Sequence, residues 1–173
     1  MWLTGLSGAG KSTLAYALRD RLLTSGRSSV VLDGDKIRSG LSSDLGFAPE
    51  DRRENVRRAA ELGKLIVESG PIAIVALISP TQDDRQLART IIGAPNFVEV
   101  YCRCPLEICE SRDVKGLYRL ARSGSIRQFT GISAPYEPPL EPDVVVDTAA
   151  NGLSECVGQL LSFIRARFDE ALG

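Results

Sequence analysis

Eight residues near the start of the chain, running Gly5-Leu-Ser-Gly-Ala-Gly-Lys-Ser12, constrain its fold more than any other feature. They satisfy G-x-x-x-x-G-K-[ST], the Walker A pattern, with Gly5, Gly10, Lys11 and Ser12 at the required spacing. Glycines let the backbone curl so that successive N–H groups point at phosphate oxygens, and a helix that begins at the loop adds its positive end. Gly5, Ser7, Gly8, Ala9, Gly10 and Thr13 therefore read as the nucleotide cradle, Lys11 as the cation for the β- and γ-phosphates, and Ser12 as a Mg²⁺ ligand. Such a loop requires a strand before it and a helix after it.

The rest of the chain supplies that alternation. Apolar, β-branched runs at 2–4, 30–33, 72–79, 97–104 and 144–147 read as five strands. Between and after them, 11–25, 51–69, 83–92, 106–112 and 153–172 have helical spacing. Strands alternating with helices predict a single α/β domain over residues 1–173: a P-loop NTPase fold with a five-stranded, mainly parallel sheet and helices on both faces. The first strand is short, which favours a chain cut from something longer, such as a fusion protein.

Composition narrows the chemistry. There is no histidine, so triads built on an imidazole base are excluded and carboxylates, lysines, arginines and hydroxyls remain. The four cysteines lack C-x-x-C spacing and read as reduced and buried. A net charge of −1 gives no global field for nucleic acid, no apolar run approaches membrane-spanning length, and no secretion signal is visible, so the expected compartment is the cytoplasm.

GTPases, motor ATPases and small-molecule kinases share the Walker A loop, and the N-K-x-D guanine reader is absent. The second strand ends in Leu-Asp33-Gly-Asp35, which places two carboxylates at the carboxyl edge of the sheet beside the loop. They are suited to holding Mg²⁺ through water and to accepting a proton from an attacking hydroxyl. In the helix that follows, Arg52 and Asn55 share a face near an isolated aromatic, Phe47, as an anionic nucleotide acceptor would need. Further on, Arg112, Lys115, Arg119, Arg122 and Arg127 crowd a segment at about 112–133, which reads as an arginine-rich lid with glycines 116, 124 and 131 as hinges. Arg112 is the member placed on ATP.

In order along the chain, GLSGAGKST, LDGDKIRSGL, DLGF, EDRRENVRR, LISP, KGLYRLARSG and FTGISAPYE resemble the adenylylsulfate kinase family from Trp2 to about Thr148. The resemblance implies transfer of the γ-phosphoryl group of MgATP to the 3′-hydroxyl of adenosine 5′-phosphosulfate. It implies Lys11, Asp33, Asp35 and Ser79 as the catalytic set, with Ser12 and Asp33 at the metal. Asp35, Arg38, Phe47, Arg52, Asn55, Ile78, Ser79, Lys115 and Phe129 fall at acceptor-binding positions, Phe47 and Phe129 being the pair that sandwiches adenine. A homodimer, and a fused or associated ATP sulfurylase, are implied likewise. Ser79 matches a serine proposed elsewhere to carry phosphate, yet a serine nucleophile needs an adjacent base, so a hydrogen-bonding or turn-shaping role is expected.

Two segments depart from the family pattern. Lys36 stands where asparagine often follows DGD, and Leu77 and Thr81 stand where aromatics often flank the Ile-Ser-Pro segment. Two rival readings share the loop: a P-loop kinase for a nucleoside or sugar acid, and a nucleotide-binding module without turnover.

Overall fold

The computed structural model describes residues 1–168. Five strands, β1 (Trp2–Thr4), β2 (Ser29–Asp33), β3 (Ile72–Ala76), β4 (Glu99–Arg103) and β5 (Val144–Asp147), form one sheet in the order β2-β3-β1-β4-β5. All four pairings are parallel. The helices are α1 (Lys11–Thr24), α2 (Gly34–Ser39), α3 (Pro49–Glu68), α4 (Gln82–Ile92), α5 (Leu106–Arg112), α6 (Leu117–Arg122) and α7 (Leu153–Phe168).

Strand periodicity divides the core in two. Leu3, Ile74, Val98 and Val100 face one side, where they meet Leu14, Leu18 and Leu22 of α1 and Leu160 and Ile164 of α7. Their neighbours Trp2, Val75 and Phe97 face the other side and pack on Val56, Ala59 and Ala60 of α3 and Ala88 of α4. Each leucine so enclosed contributes about 1.5–3 kcal/mol of burial. The stripe 56, 59, 60, 63 along α3 is the i, i+3, i+4, i+7 pattern of a helix covering a sheet.

Most boundaries agree with the sequence reading to within two residues. Three differences have physical causes. First, β3 stops at Ala76 rather than running to 79, because its partner β1 has already turned into the phosphate loop. Leu77 N–H donates to Leu3 O at 3.2 Å, after which Thr4 Oγ1 takes Ile78 O at 2.6 Å and Ser79 adopts φ 39°. Second, α3 begins two residues before the predicted start, with Pro49 in its first turn, where a missing N–H costs nothing. Third, two six-residue helices, α2 and α6, stand outside the five predicted helical segments. The predicted helix 153–172 is observed through Phe168, and its last residues lie outside the described residues.

Candidate active site

β1 lies between β3 and β4, neither of which is its neighbour in sequence, so chain connections diverge from its carboxyl end. Open parallel sheets bind ligands at such a point. A cleft of about 810 Å³ opens there.

The Gly5–Ser12 loop forms one end of it. Gly8 has φ +76°, and a Cβ there would meet Cys109 O at 2.8 Å, so only glycine allows the loop to rest on α5. Lys11 is buried and curls back on its own loop, its Nζ donating to Gly5 O at 2.9 Å and to Leu6 O at 2.7 Å. Burial lowers its pKa to about 8, against the smaller opposing influence of Cys102 and Cys109. Ser7, Gly8, Gly10, Ser12 and Thr13 line the cleft with it. Gly5 and Ala9 lie behind the lining. The Gly5 carbonyl holds Lys11, and the Ala9 carbonyl accepts from Thr148 Oγ1 at 2.9 Å.

The two aspartates separate in role. Asp33 is buried and caps α2, its Oδ1 accepting from the N–H groups of Asp35 at 3.0 Å and Lys36 at 3.4 Å, and it is not among the lining residues. Asp35 lines the cleft with an exposed carboxylate that pairs with Lys115 from the lid. The chain thus brings together two predicted site residues 80 positions apart.

Arg38, Phe47, Arg52, Asn55, Ile78, Ser79 and Phe129 line the same cleft. The Arg38 guanidinium stacks 4.6 Å from the Phe47 ring centroid and donates to the Gly46 carbonyl. Arg52 donates to Phe47 O at 2.8 Å and reaches across to Gln128 O and Thr130 Oγ1 in the lid segment. Asn55 is 4 % exposed, and its Oδ1 has no donor. Phe129 meets Tyr118 edge-on at 5.0 Å. Ser79 Oγ accepts from Trp2 Nε1 at 3.0 Å, so the hydroxyl faces an indole N–H rather than a base.

Arg112 binds the back of the phosphate loop, with Nη1 to Gly8 O at 3.2 Å and Nη2 to Thr148 O at 2.7 Å. Thr148, Asn151, Leu153 and Cys156 also line the cleft, and sequence reasoning named none of them as site residues. Nothing in those residue types signals a site. Tyr118 was also missed as a site residue. Its hydroxyl donates to Ser7 O at 2.8 Å, and an aromatic inside the basic KGLY stretch was the available clue.

Arg122 is turned away into a bidentate pair with Glu110 at 2.8 and 2.9 Å. Arg119 and Arg127 are exposed and outside the lining. Glycines 116, 124 and 131 all have left-handed φ values. Lys36 points over the Tyr16 ring at 5.2 Å, away from the cleft lining, while Thr81 caps α4 by accepting from Asp84 N–H at 3.2 Å. The PYE segment anchors the lid's return. Tyr136 OH lies 3.1 Å from Thr4 Oγ1, and Glu137 N–H donates to Pro80 O at 2.8 Å.

No group of three or more His, Cys, Asp or Glu side chains able to hold a metal occurs among the described residues. A hydroxyl at Ser12 and a carboxylate at Asp35 in one cleft suit Mg²⁺, which keeps several waters and relies on phosphate oxygens.

A phosphate loop whose cleft is also lined by Arg38, Arg52, Arg112 and Lys115 suits the two anionic substrates of a phosphoryl-transfer kinase. By fold and site the chain is a P-loop kinase. The model of the family described as adenylylsulphate kinase matches residues 1–147, and the chain belongs to that family. It is 52% identical over 167 residues to the adenylyl-sulfate kinase of Geotalea daltonii, covering 96% of this chain and 82% of that protein. Among solved structures, the Mycobacterium tuberculosis APS kinase in complex with AMPPNP and APS superposes with a TM-score of 0.91 at 42% identity, covering 95% of each chain. A hexameric APS kinase from Thiobacillus denitrificans gives 0.70 at 35% identity, over 95% of this chain and 28% of that one. No helix among the described residues is long and apolar enough to cross a membrane.

Proposed function

We propose that the protein transfers the γ-phosphoryl group of MgATP to the 3′-hydroxyl of adenosine 5′-phosphosulfate, giving 3′-phosphoadenosine 5′-phosphosulfate and ADP in sulfate activation. The observation that carries this reading is one continuous cleft lined both by Lys11 and Ser12 and by Arg38, Phe47, Arg52, Asn55 and Phe129. Mg²⁺ when bound neutralises charge on the β- and γ-phosphates; Ser12 would hold it together with Asp35, which takes the metal place expected for Asp33, because Asp33 is buried as the α2 cap and lies outside the lining. Lys11 supplies the second positive charge on the γ-phosphate, and Arg112 secures the nucleotide from behind the loop.

On the acceptor side, the rings of Phe47 and Phe129 offer faces for adenine, while Arg38 and Arg52 offer cations for the phosphosulfate. The unpartnered Asn55 Oδ1 is an acceptor awaiting a donor on the substrate. Ile78 and Ser79 form the floor. Asp35 is the group poised to take the hydroxyl proton, and direct transfer needs no phosphorylated Ser79. Residues 112–133 act as the lid, closing on the phosphates and excluding water. Arg52 now binds lid oxygens at Gln128 and Thr130, so the acceptor's anion competes with the lid for the same guanidinium. A homodimer belongs to this reading and is supported by the existence of an oligomeric relative.

The test is ADP release from MgATP with adenosine 5′-phosphosulfate, against adenosine, AMP, shikimate and gluconate, with the product identified by mass. Release specific to adenosine 5′-phosphosulfate with a 3′-phosphorylated product is expected. A protein that binds ATP yet ignores this acceptor would return the reading to a module without turnover.

Two expectations follow from the wall and the cradle. Phe47→Ala should raise the acceptor's KM by on the order of tenfold and leave kcat within about twofold, because base stacking is worth ~1–3 kcal/mol and acts equally on ground and transition states. Steady-state kinetics with the acceptor varied would show it, and an unchanged KM removes Phe47 from the sandwich. For Lys11, a pKa lowered by burial to about 8 means that the ammonium is half lost at that pH. Phosphates favour the charged form and raise the pKa on binding, so protons are taken up around pH 8–9. Nucleotide affinity should be highest below pH 8 and fall as pH rises through it, by up to about tenfold per unit. Calorimetry in buffers of different ionisation enthalpy reads the proton uptake directly. A flat affinity between pH 7 and 9.5 contradicts it.

A further inference from the structure

Arg85, in the first turns of α4, is a buried charge that lies outside the cleft lining and is 2 % exposed. Its Nη1 donates to Ser79 O at 2.9 Å and its Nη2 donates to Glu137 O at 2.8 Å. Its Nε lies 2.7 Å from Glu99 Oε1, a carboxylate that is itself nearly enclosed.

Both carbonyls matter to the site. Ser79 lines the cleft and holds φ 39°, a conformation that costs a non-glycine residue on the order of 1–3 kcal/mol and persists only where surroundings enforce it. Glu137 lies at the return of the lid segment. Its N–H reaches Pro80 O at 2.8 Å, and its Oε2 accepts from Gln82 N–H at 2.7 Å. A single planar guanidinium therefore joins the turn that floors the acceptor chamber to the strand of chain by which the lid comes home.

We propose that Arg85 is a positioning residue for phosphoryl transfer, clamping the Ser79 turn and the lid's return segment to one another without touching substrate. The geometry requires arginine. A lysine ammonium is a point charge that can stay beside Glu99 but cannot span two carbonyls and a carboxylate lying in different directions. Glu99 serves as the counter-charge and has a second cation close by, Arg89 Nη2 at 3.9 Å. Asp143 in turn receives Arg89 at 3.2 Å and the Glu99 N–H at 2.7 Å. Charge balance and positioning are therefore separable.

The inference rests on the proposed kinase reading, and its test has one arm that does not. Arg85→Lys and Glu99→Gln would be compared with the unaltered protein by kinetics with MgATP and adenosine 5′-phosphosulfate, and by hydrogen exchange on the ligand-free protein. Arg85→Lys should keep its thermal midpoint within a few degrees, lose about tenfold or more in acceptor kcat/KM, and hold the KM for ATP within about twofold. Amide exchange should rise in 77–82 and 134–138 and stay unchanged across α1. Glu99→Gln, which leaves both carbonyl bonds in place, should lower the midpoint and spare the acceptor kinetics. Arg85→Lys with unaltered exchange in those two segments would overturn the clamp, as would equal kinetic losses in the two variants. An unaltered protein inert toward the acceptor would overturn the functional reading instead, and the exchange pattern would still decide the clamp.

Discussion

Lys11→Ala is expected to lower kcat by at least about a thousandfold while the protein stays folded. The effect on chemistry follows from position. The side chain belongs to the phosphate loop and lines the cleft, with its ammonium parked on Gly5 O and Leu6 O, and these two bonds are exchanged for phosphate oxygens when nucleotide binds. A preorganised cation in a water-poor chamber is worth far more to a developing charge than the same cation in solvent. The effect on stability has the opposite sign. Enclosing an ammonium is unfavourable, as its lowered pKa of about 8 records, and alanine removes that cost while opening a space that connects to the cleft. The thermal midpoint of Lys11→Ala should therefore equal or exceed that of the unaltered protein at pH 7. Single-turnover ADP formation together with a melting curve checks both halves. Retention of more than about a tenth of the turnover would remove Lys11 from the transition state.

The phosphate loop and the alternation of strand and helix were legible because each is a local pattern: a fixed spacing in one case, periods of two and 3.6 in the other. The family motifs then marked Arg38, Phe47, Arg52, Asn55 and Phe129, and all five are among the residues that line the cleft. What escaped has a common physical origin. Helices as short as α2 and α6 do not stand on propensity; α2 exists because Asp33 caps it, and α6 because Asp113 accepts from the N–H groups of Tyr118 at 3.0 Å and Arg119 at 3.1 Å. The apolar run through Leu77 and Ile78 reads as strand, yet its pairing partner ends at Thr4. Thr148 and Asn151 carry no motif, and only the folding of β5's end against the loop makes them part of the site. The ion pair from Lys115 to Asp35 and the reach of Arg52 into the lid join distant parts of the chain, where sequence spacing is silent.

That ion pair bears on the second large effect. Asp35→Asn is expected to lower kcat by roughly a hundredfold to ten-thousandfold with the acceptor's KM changed by less than about threefold, the signature of a lost proton acceptor or metal organiser rather than a lost binding contact. A competing account is that Asp35 matters only by holding Lys115, and therefore the lid, in place. The two accounts diverge at Lys115→Met. If Asp35 acts on the reaction itself, Lys115→Met costs no more than about tenfold, and the double variant is slower than either single one, because the two losses arise at different steps. If Asp35 acts through the lid, either substitution breaks the same contact, the two losses match, and the double variant is no slower than the singles. The placement favours the first outcome. Asp35 lies just past the end of β2 at the carboxyl edge of the sheet, in the chamber that also contains Lys11 and Ser12, so its carboxylate has a place beside the phosphates that does not depend on Lys115.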